Sequence, residues 1–279
     1  MAYKTILTLA EANKAAGACR DAAIRLARQN DSHVAGLSLA IMPSRSTYLY
    51  HAALTEVLAA EEARIAQEAK ELAAAFDRAM QKEGVNSESR VDSCLDVDAL
   101  DRICQHARYA DLIIIGQTVP EEANGLRRSL PEHLVLEAGR PVLMVPYIGL
   151  RSSFGKRVVV AWDGGREAAR AIVDAMPILT GADEVEVVVI EHGKHDKREH
   201  EVGADISTFM ARHGCKVVLK RIAAGDISDA DCLLSHLADC DADLLVMGAY
   251  AHARLRQLVL GGVTQKILGQ MTTPVLLSH

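Results

Sequence analysis

Two stretches of this chain repeat one another. Residues 110–116 read ADLIIIG and residues 242–248 read ADLLVMG, and each is followed by an apolar run opening on proline, PVLMV at 141–145 and PVLL at 274–277. The openings repeat as well, since TILTLAE at 5–11 can be laid over RVVVAWD at 157–163. A unit written twice has to build its core twice, which rules out most single-domain folds for 279 residues. The openings lie 152 residues apart and the ends 132 and 133 apart, so copy one holds about twenty more residues than copy two. That insertion falls around residues 41–60, between the second strand and the next helix, where it is read as a helix extension carrying Tyr48, Tyr50 and His51.

Within each copy, short continuous apolar runs of the kind buried on both faces alternate with stretches of helical period. Copy one reads as strand 5–9, helix 15–28, strand 33–40, helix 55–82, a short strand at 89–91, helix 97–109, strand 112–115 and the proline-led final strand. Copy two reads as strand 158–162, helix 167–179, strand 184–190, helix 204–213, strand 215–221, helix 229–239, strand 244–247, helix 263–270 and strand 275–277. Copy two shows five strands and four helices, the count also expected of copy one, and such alternation implies parallel pairing with right-handed crossovers and helices on both faces of each sheet. Gly149, Ser152, Ser153 and Gly155 break the periodic pattern between 146 and 156. The domains are therefore set at 1–147 and 156–279. An unpaired final strand invites augmentation, so 142–145 and 275–277 are expected to pair with each other.

Composition narrows the function classes. The net charge is −6 with a pI near 6.0, and Lys and Arg are scattered along the chain, which gives no footprint for nucleic acid. No apolar stretch approaches the ~20 residues that span a bilayer, and no leader pattern opens the chain, so no membrane partner is expected. Cys19, Cys94, Cys104, Cys215, Cys232 and Cys240 form neither a C-x-x-C pair nor a dense disulfide framework. Reduced thiols in a cytoplasm are the expectation.

In an open parallel sheet, ligands settle outside the carboxyl ends of the strands near the point where strand order reverses. In copy two that directs attention to Asp163, Ile190 and Gly248. After Gly248 comes a loop reaching Gly261-Gly262, and Val263-Thr264 then opens a helix. The free N–H groups of a first helical turn attract an anion, and glycine lets a phosphate come close to the backbone. Thr264 offers a hydroxyl, and His252, Arg254 and Arg256 add charge within the loop.

This spacing resembles a motif of the universal stress protein family, G-x2-G-x9-G followed by Ser or Thr. Gly248, Ala251, Gly261 and Gly262 stand at its four positions; the intervals fit, while two of the four residues differ. The surrounding strands and the GGVTQKIL helix resemble the family over residues 158–277, and copy one does so more loosely. The resemblance implies two flavodoxin-like domains of the adenine nucleotide α-hydrolase-like type, packed as an intramolecular pseudo-dimer, with further association into homodimers and a protein partner that the sequence does not name. It also implies a site for ATP or another adenine nucleotide in copy two. There Asp163 and Ile190, or its neighbour Val189, hold the adenine, and Met247, Gly248, Ala251, Gly261, Gly262, Val263 and Thr264 surround ribose and phosphates. Ala251 resists a positive φ by roughly 1 kcal/mol or more where glycine would not, and Gly262 lacks the family hydroxyl, so affinity is expected to be weakened.

Copy one fails the same comparison. Val119 and Ser129 occupy the interval after Gly116, and counting back 133 residues from Thr264 puts Pro131, which has no N–H, at the helix start. Glu11, Glu121, Glu122 and Glu132 make its mouth acidic. His192, His195 and His200, near Cys215, are read as a charged loop with no metal, and no catalytic residue is assigned. The chain lacks a G-x-x-x-x-G-K-[ST] loop and a G-x-S-x-G elbow. A nucleotide-binding regulatory protein is the reading; a scaffold without nucleotide and a slow ATP hydrolase remain as alternatives.

Overall fold

The computed structural model describes residues 2–44, 52–119, 121, 124–192, 203–249 and 262–279. The chain packs as two compact units, Tyr3–Arg140 and, in the main, Pro141–His279.

The first unit runs β1 (Thr5–Leu9), α1 (Ala16–Asn30), β2 (His33–Met42), α2 (Ala52–Lys82), β3 (Ser87–Leu95), α3 (Ala99–Ala107), β4 (Leu112–Gly116) and α4 (Gly125–Glu137). Its four strands are all parallel, in the order β3-β2-β1-β4. β1 and β4 are buried on both faces, with Ile6, Leu7, Ile113 and Ile114 fully enclosed, which is why they read as unbroken apolar runs. Ala22, Ala23 and Leu26 form the inward stripe of α1. The third strand is far longer than the three residues expected from the sequence. β3 alternates polar and half-buried positions along a sheet edge, so it carries little of the apolar signal that marks a central strand. α2 starts at Ala52, in keeping with an insertion used partly as a helix extension; Tyr48, Tyr50 and His51 lie outside the described residues.

The second unit opens with β5 (Val142–Val145) and continues β6 (Arg157–Ala161), α5 (Arg166–Leu179), β7 (Glu184–Glu191), α6 (Ala204–Arg212), β8 (Val217–Ala223), α7 (Asp229–Asp239), β9 (Leu244–Gly248), α8 (Gly262–Gln270) and β10 (Val275–Ser278). Its strand order is β5-β10-β9-β6-β7-β8. Every pair is parallel except β5 with β10, which run antiparallel with Leu143 opposite Leu276. The two proline-led final strands thus pair with each other, as the sequence suggests, and the last strand of copy one folds within the second unit. All eight residues of the two strands are buried, so this seam is apolar core as well as backbone ladder.

The repeated Ala-Asp pair has one job in both units. Asp111 accepts the backbone N–H groups of Lys4 and Thr5 at 2.7 and 2.9 Å. Asp243 accepts those of Lys156 and Arg157 at 3.0 and 3.1 Å. Each carboxylate satisfies two N–H groups at the start of the first strand of its copy, donors that the sheet would otherwise leave open.

Candidate functional site

In the second unit strand order reverses between β6 and β9, and the expected site residues gather at that end of the sheet. Asp163, two residues past β6, is exposed, and its Oδ1 accepts the Gly165 N–H at 2.8 Å. This Asx turn feeds the chain into α5 and leaves the rest of the carboxylate open. On β7, Val189 packs with Leu219 over Gly203, so alternation turns half-buried Ile190 to the opposite face. Of the two aliphatic candidates, Ile190 is the less enclosed.

Gly248 ends β9. A Cβ at this position would stand 2.5 Å from the Ala168 amide nitrogen and 2.6 Å from the Glu167 carbonyl carbon. The first turn of α5 therefore lies directly on β9, and the glycine is required by packing whether or not a ligand is bound. Met247, buried, turns the other way, toward the layer in which α7 and α8 pack together.

At the α8 end, Gly262 is exposed with no neighbour near its Cβ direction among the described residues, Val263 is half-buried, and Thr264 is buried at 4% exposure. Ala251 and Gly261 lie outside the described residues, as do His252, Arg254 and Arg256. α8 is tied to α7 by Lys266, whose Nζ lies 2.6 Å from Asp231 Oδ2; Ser228 Oγ donates to the same carboxylate at 2.6 Å. Lys266 and Ser228 together hold the Asp231 carboxyl below its ordinary range.

Sequence reasoning passes over Glu167, which lies beside Gly248 and is 5% exposed. Burial pushes its carboxyl up, but hydrogen bonds from Arg166 and its own backbone N–H, with the charges of Arg166 and His279, outweigh that and hold it low. His279 Nδ1 lies 2.9 Å from the Ala249 carbonyl oxygen, so the C-terminal residue sits at this same corner.

The equivalent corner of the first unit is filled from within. Glu11, where copy two has Asp163, is 3.2 Å from Arg127 Nη1 and also accepts from Asn13 Nδ2. Arg127 belongs to the first turn of α4, and its backbone N–H is taken by the Asn124 side chain at 2.9 Å. Pro131 is not at the helix start, as counting back from Thr264 suggests: α4 begins at Gly125 and Pro131 lies inside it. Asn124 supplies an earlier cap, so the lost donor falls in the second turn. Of the histidine loop, His192 Nε2 is 2.7 Å from Asp229 and Cys215 is buried against Met176, so these two are not brought together; His195 and His200 lie outside the described residues.

Residues 155–279 match the model of the Universal stress protein family. The C-terminal domain belongs to that family. A universal stress protein of Synechocystis sp., Slr1230, is 24% identical over 174 residues, covering 60% of this chain and 57% of that relative. The chain thus spans less than two thirds of that relative's length. A universal stress protein from Archaeoglobus fulgidus DSM 4304 superimposes with a TM-score of 0.73 at 15% identity, covering 98% of this chain and 97% of its own. A protein of unknown function from Pseudomonas aeruginosa PAO1 gives 0.61 at 18% identity, covering 99% and 92%. The two solved structures share the fold along nearly the whole chain, the half outside the family match included. No helix among the described residues is long and apolar enough to cross a membrane.

Proposed function

We propose that the protein is a tandem universal stress protein that binds an adenine nucleotide, ATP in the first instance, in its C-terminal domain only, and uses its N-terminal domain as a structural partner. The observation that carries this reading is the contrast between matching corners of the two halves. Glu11 of copy one is engaged by Arg127, and the first turn of α4 is capped by Asn124. In copy two, Asp163 is exposed and Gly262 has no neighbour near its Cβ direction among the described residues. Ile190 and Met247 supply apolar side chains for the pocket floor, and the family motif spacing supports a nucleotide between Gly248 and Gly262. The role is regulatory binding in a cytoplasmic stress response, with whole-chain dimers and a protein partner as part of the same proposal.

Turnover is not part of it. No P-loop lysine or paired metal-holding carboxylates accompany the motif, so phosphate release slower than about once per minute is expected, far below the usual enzyme range.

Titration calorimetry of ATP into the full chain and into Gly262→Glu tests the proposal. Glutamate suits a helix start and meets no neighbour there among the described residues, yet it sets a negative charge against the phosphates. One ATP per chain, weakened at least tenfold in the variant, is the expected result. No heat with the wild-type protein would leave the scaffold alternative standing.

A further inference from the structure

On the α7 side of the second sheet, β7, β8 and α7 bring together a carboxylate, an imidazole and a thiol. Glu186 leaves β7 toward α7. His236 and Cys240 project from the end of α7 four residues apart, the spacing that stacks side chains on one helix face. One ligand atom from each of the three lies within 4.8 Å of the other two. Glu186 Oε2 and His236 Nε2 are 2.7 Å apart. The His236 side chain is 6% exposed and that of Glu186 13%, while Cys240 is partly open to solvent, so the cluster is sheltered and yet has a way in. The Cys240 sulfur lies 3.9 Å from the Leu237 carbonyl oxygen and also meets the Ala242 backbone N–H. A buried His–Glu pair accounts for two members of this group; it gives no reason for a thiol at the third corner.

The geometry points to a binding site for a thiophilic divalent metal ion of the zinc type, held by Glu186, His236 and Cys240 with a fourth position open to water. Tetrahedral bonds of about 2.0–2.3 Å to oxygen, nitrogen and sulfur place ligand atoms roughly 3.4–3.6 Å from one another. Glu186 Oε2 and His236 Nε2 stand closer than that, and none of the three ligand atoms is more than 4.8 Å from another, so side-chain adjustments of about 1 Å complete the site with the backbone in place. Lys220 Nζ lies 3.5 Å from Glu186 Oε1 and its side chain is 48% exposed. It occupies one carboxylate oxygen and leaves Oε2 as a monodentate ligand, and its charge sets a moderate affinity. On binding, the Cys240 thiol releases its proton to solvent and the sulfur donates a lone pair to the metal; His236 gives up its hydrogen bond to Glu186, exchanges its Nε2 proton through solvent for one on Nδ1, and coordinates through the Nε2 lone pair. No oxidant or reductant takes part. The mixed donor set favours zinc over calcium or magnesium, which prefer oxygen alone.

Cobalt(II) titrated into the reduced full chain reads the site directly. A sulfur-to-cobalt charge-transfer band, with strong visible bands of a four-coordinate ion, should saturate at one cobalt per chain and disappear on adding zinc. Cys240→Ser should remove the charge-transfer band, His236→Gln should weaken binding at least tenfold, and Cys215→Ser should change neither. In a second measurement that needs no variant, one equivalent of zinc should slow alkylation of Cys240 in the wild-type protein at least tenfold, read by mass spectrometry. A wild-type chain without the charge-transfer band, a band that survives Cys240→Ser, or zinc that leaves Cys240 alkylation unchanged would overturn the assignment.

Discussion

Arg127, in the first turn of α4, reaches across the end of the first sheet to Glu11, with 3.2 Å between Nη1 and Oε2. The pair joins the two elements that a nucleotide would have to part, and both side chains are about a quarter to a third exposed. It shuts the corner without being a large source of stability, because a partly exposed ion pair is worth ~0.2–1 kcal/mol. Arg127→Ala should therefore lower unfolding free energy in urea by less than about 1 kcal/mol. ATP stoichiometry should stay at one per chain, since Asn124 still caps the α4 amide. A second equivalent bound by Arg127→Ala would mean that the ion pair alone had been keeping nucleotide out of the N-terminal domain.

Gly248 and Gly116 hold the same place in the two copies, and each packs against the first helix of its own. Beyond the backbone atoms that crowd Gly248, a Cβ on Gly116 would come 2.4 Å from the Ala15 Cβ. Neither obstacle can rotate away. Gly248→Ala and Gly116→Ala should each destabilise by ~2–3 kcal/mol, as overpacking does where no rotamer can yield. Gly262, also a motif glycine, meets nothing among the described residues, and Gly262→Ala should be neutral or stabilising by up to ~1 kcal/mol through helix propensity. Urea denaturation of the three variants checks whether these glycines serve packing or a ligand. Equal, small effects at all three would show that β9 and β4 tolerate a side chain facing their first helices.

The parts of the fold legible in the sequence are those fixed by local pattern. Unbroken apolar runs give β1, β4, β6 and β9, because strands buried on both faces need no alternation, and the repeated Ala-Asp turns out to mark Asp111 and Asp243 satisfying equivalent N–H pairs. β3 is truncated in the sequence reading since an edge strand carries half its residues to solvent. Pro131 is misplaced because a constant offset assumes equal loops, and Asn124 starts its helix early. At the candidate site, Asp163, Ile190 and Gly248 follow from strand ends alone, while Met247 comes only with the family resemblance. The Glu186, His236 and Cys240 cluster does not, because Glu186 lies fifty residues from His236 in sequence and only the crossing of α7 over β7 joins them. The four-residue spacing of His236 and Cys240 is the sequence signal that could have pointed there.

Thiol reactivity separates interior cysteines from the rest. Burial, with the nearby Glu11 charge, pushes Cys19 up to about 12, and burial raises Cys104 to about 11. At about pH 8, roughly one part in ten thousand of Cys19 is thiolate, the form that attacks an alkylating agent. In the native, metal-free protein, iodoacetamide should label Cys94 and Cys240, both partly exposed, well before Cys19 and Cys104. All six should react in urea. Peptide mapping over a time course reads the order; early labelling of Cys19 would show that α1 opens away from β4 on that timescale.

Glu167 sets a pH dependence whose sign follows from its surroundings. Its carboxyl is held below the ordinary 4.5 although burial works against this, because Arg166, its own N–H and the His279 charge favour the ionised form. A group depressed in the folded state binds its proton more readily once the chain unfolds. Its stabilisation is therefore fully present above the unfolded value and is lost as pH falls through the folded one. Glu167→Gln removes the charge at every pH, so the stability gap between wild type and variant should be constant from neutrality down to about pH 5.5 and then narrow steadily below 4.5. Urea unfolding of both proteins at stepped pH measures that gap. A gap that stays constant into acid would show that the Glu167 carboxylate gains nothing from Arg166 and His279, and that the side chain matters at this corner only as packing against Gly248.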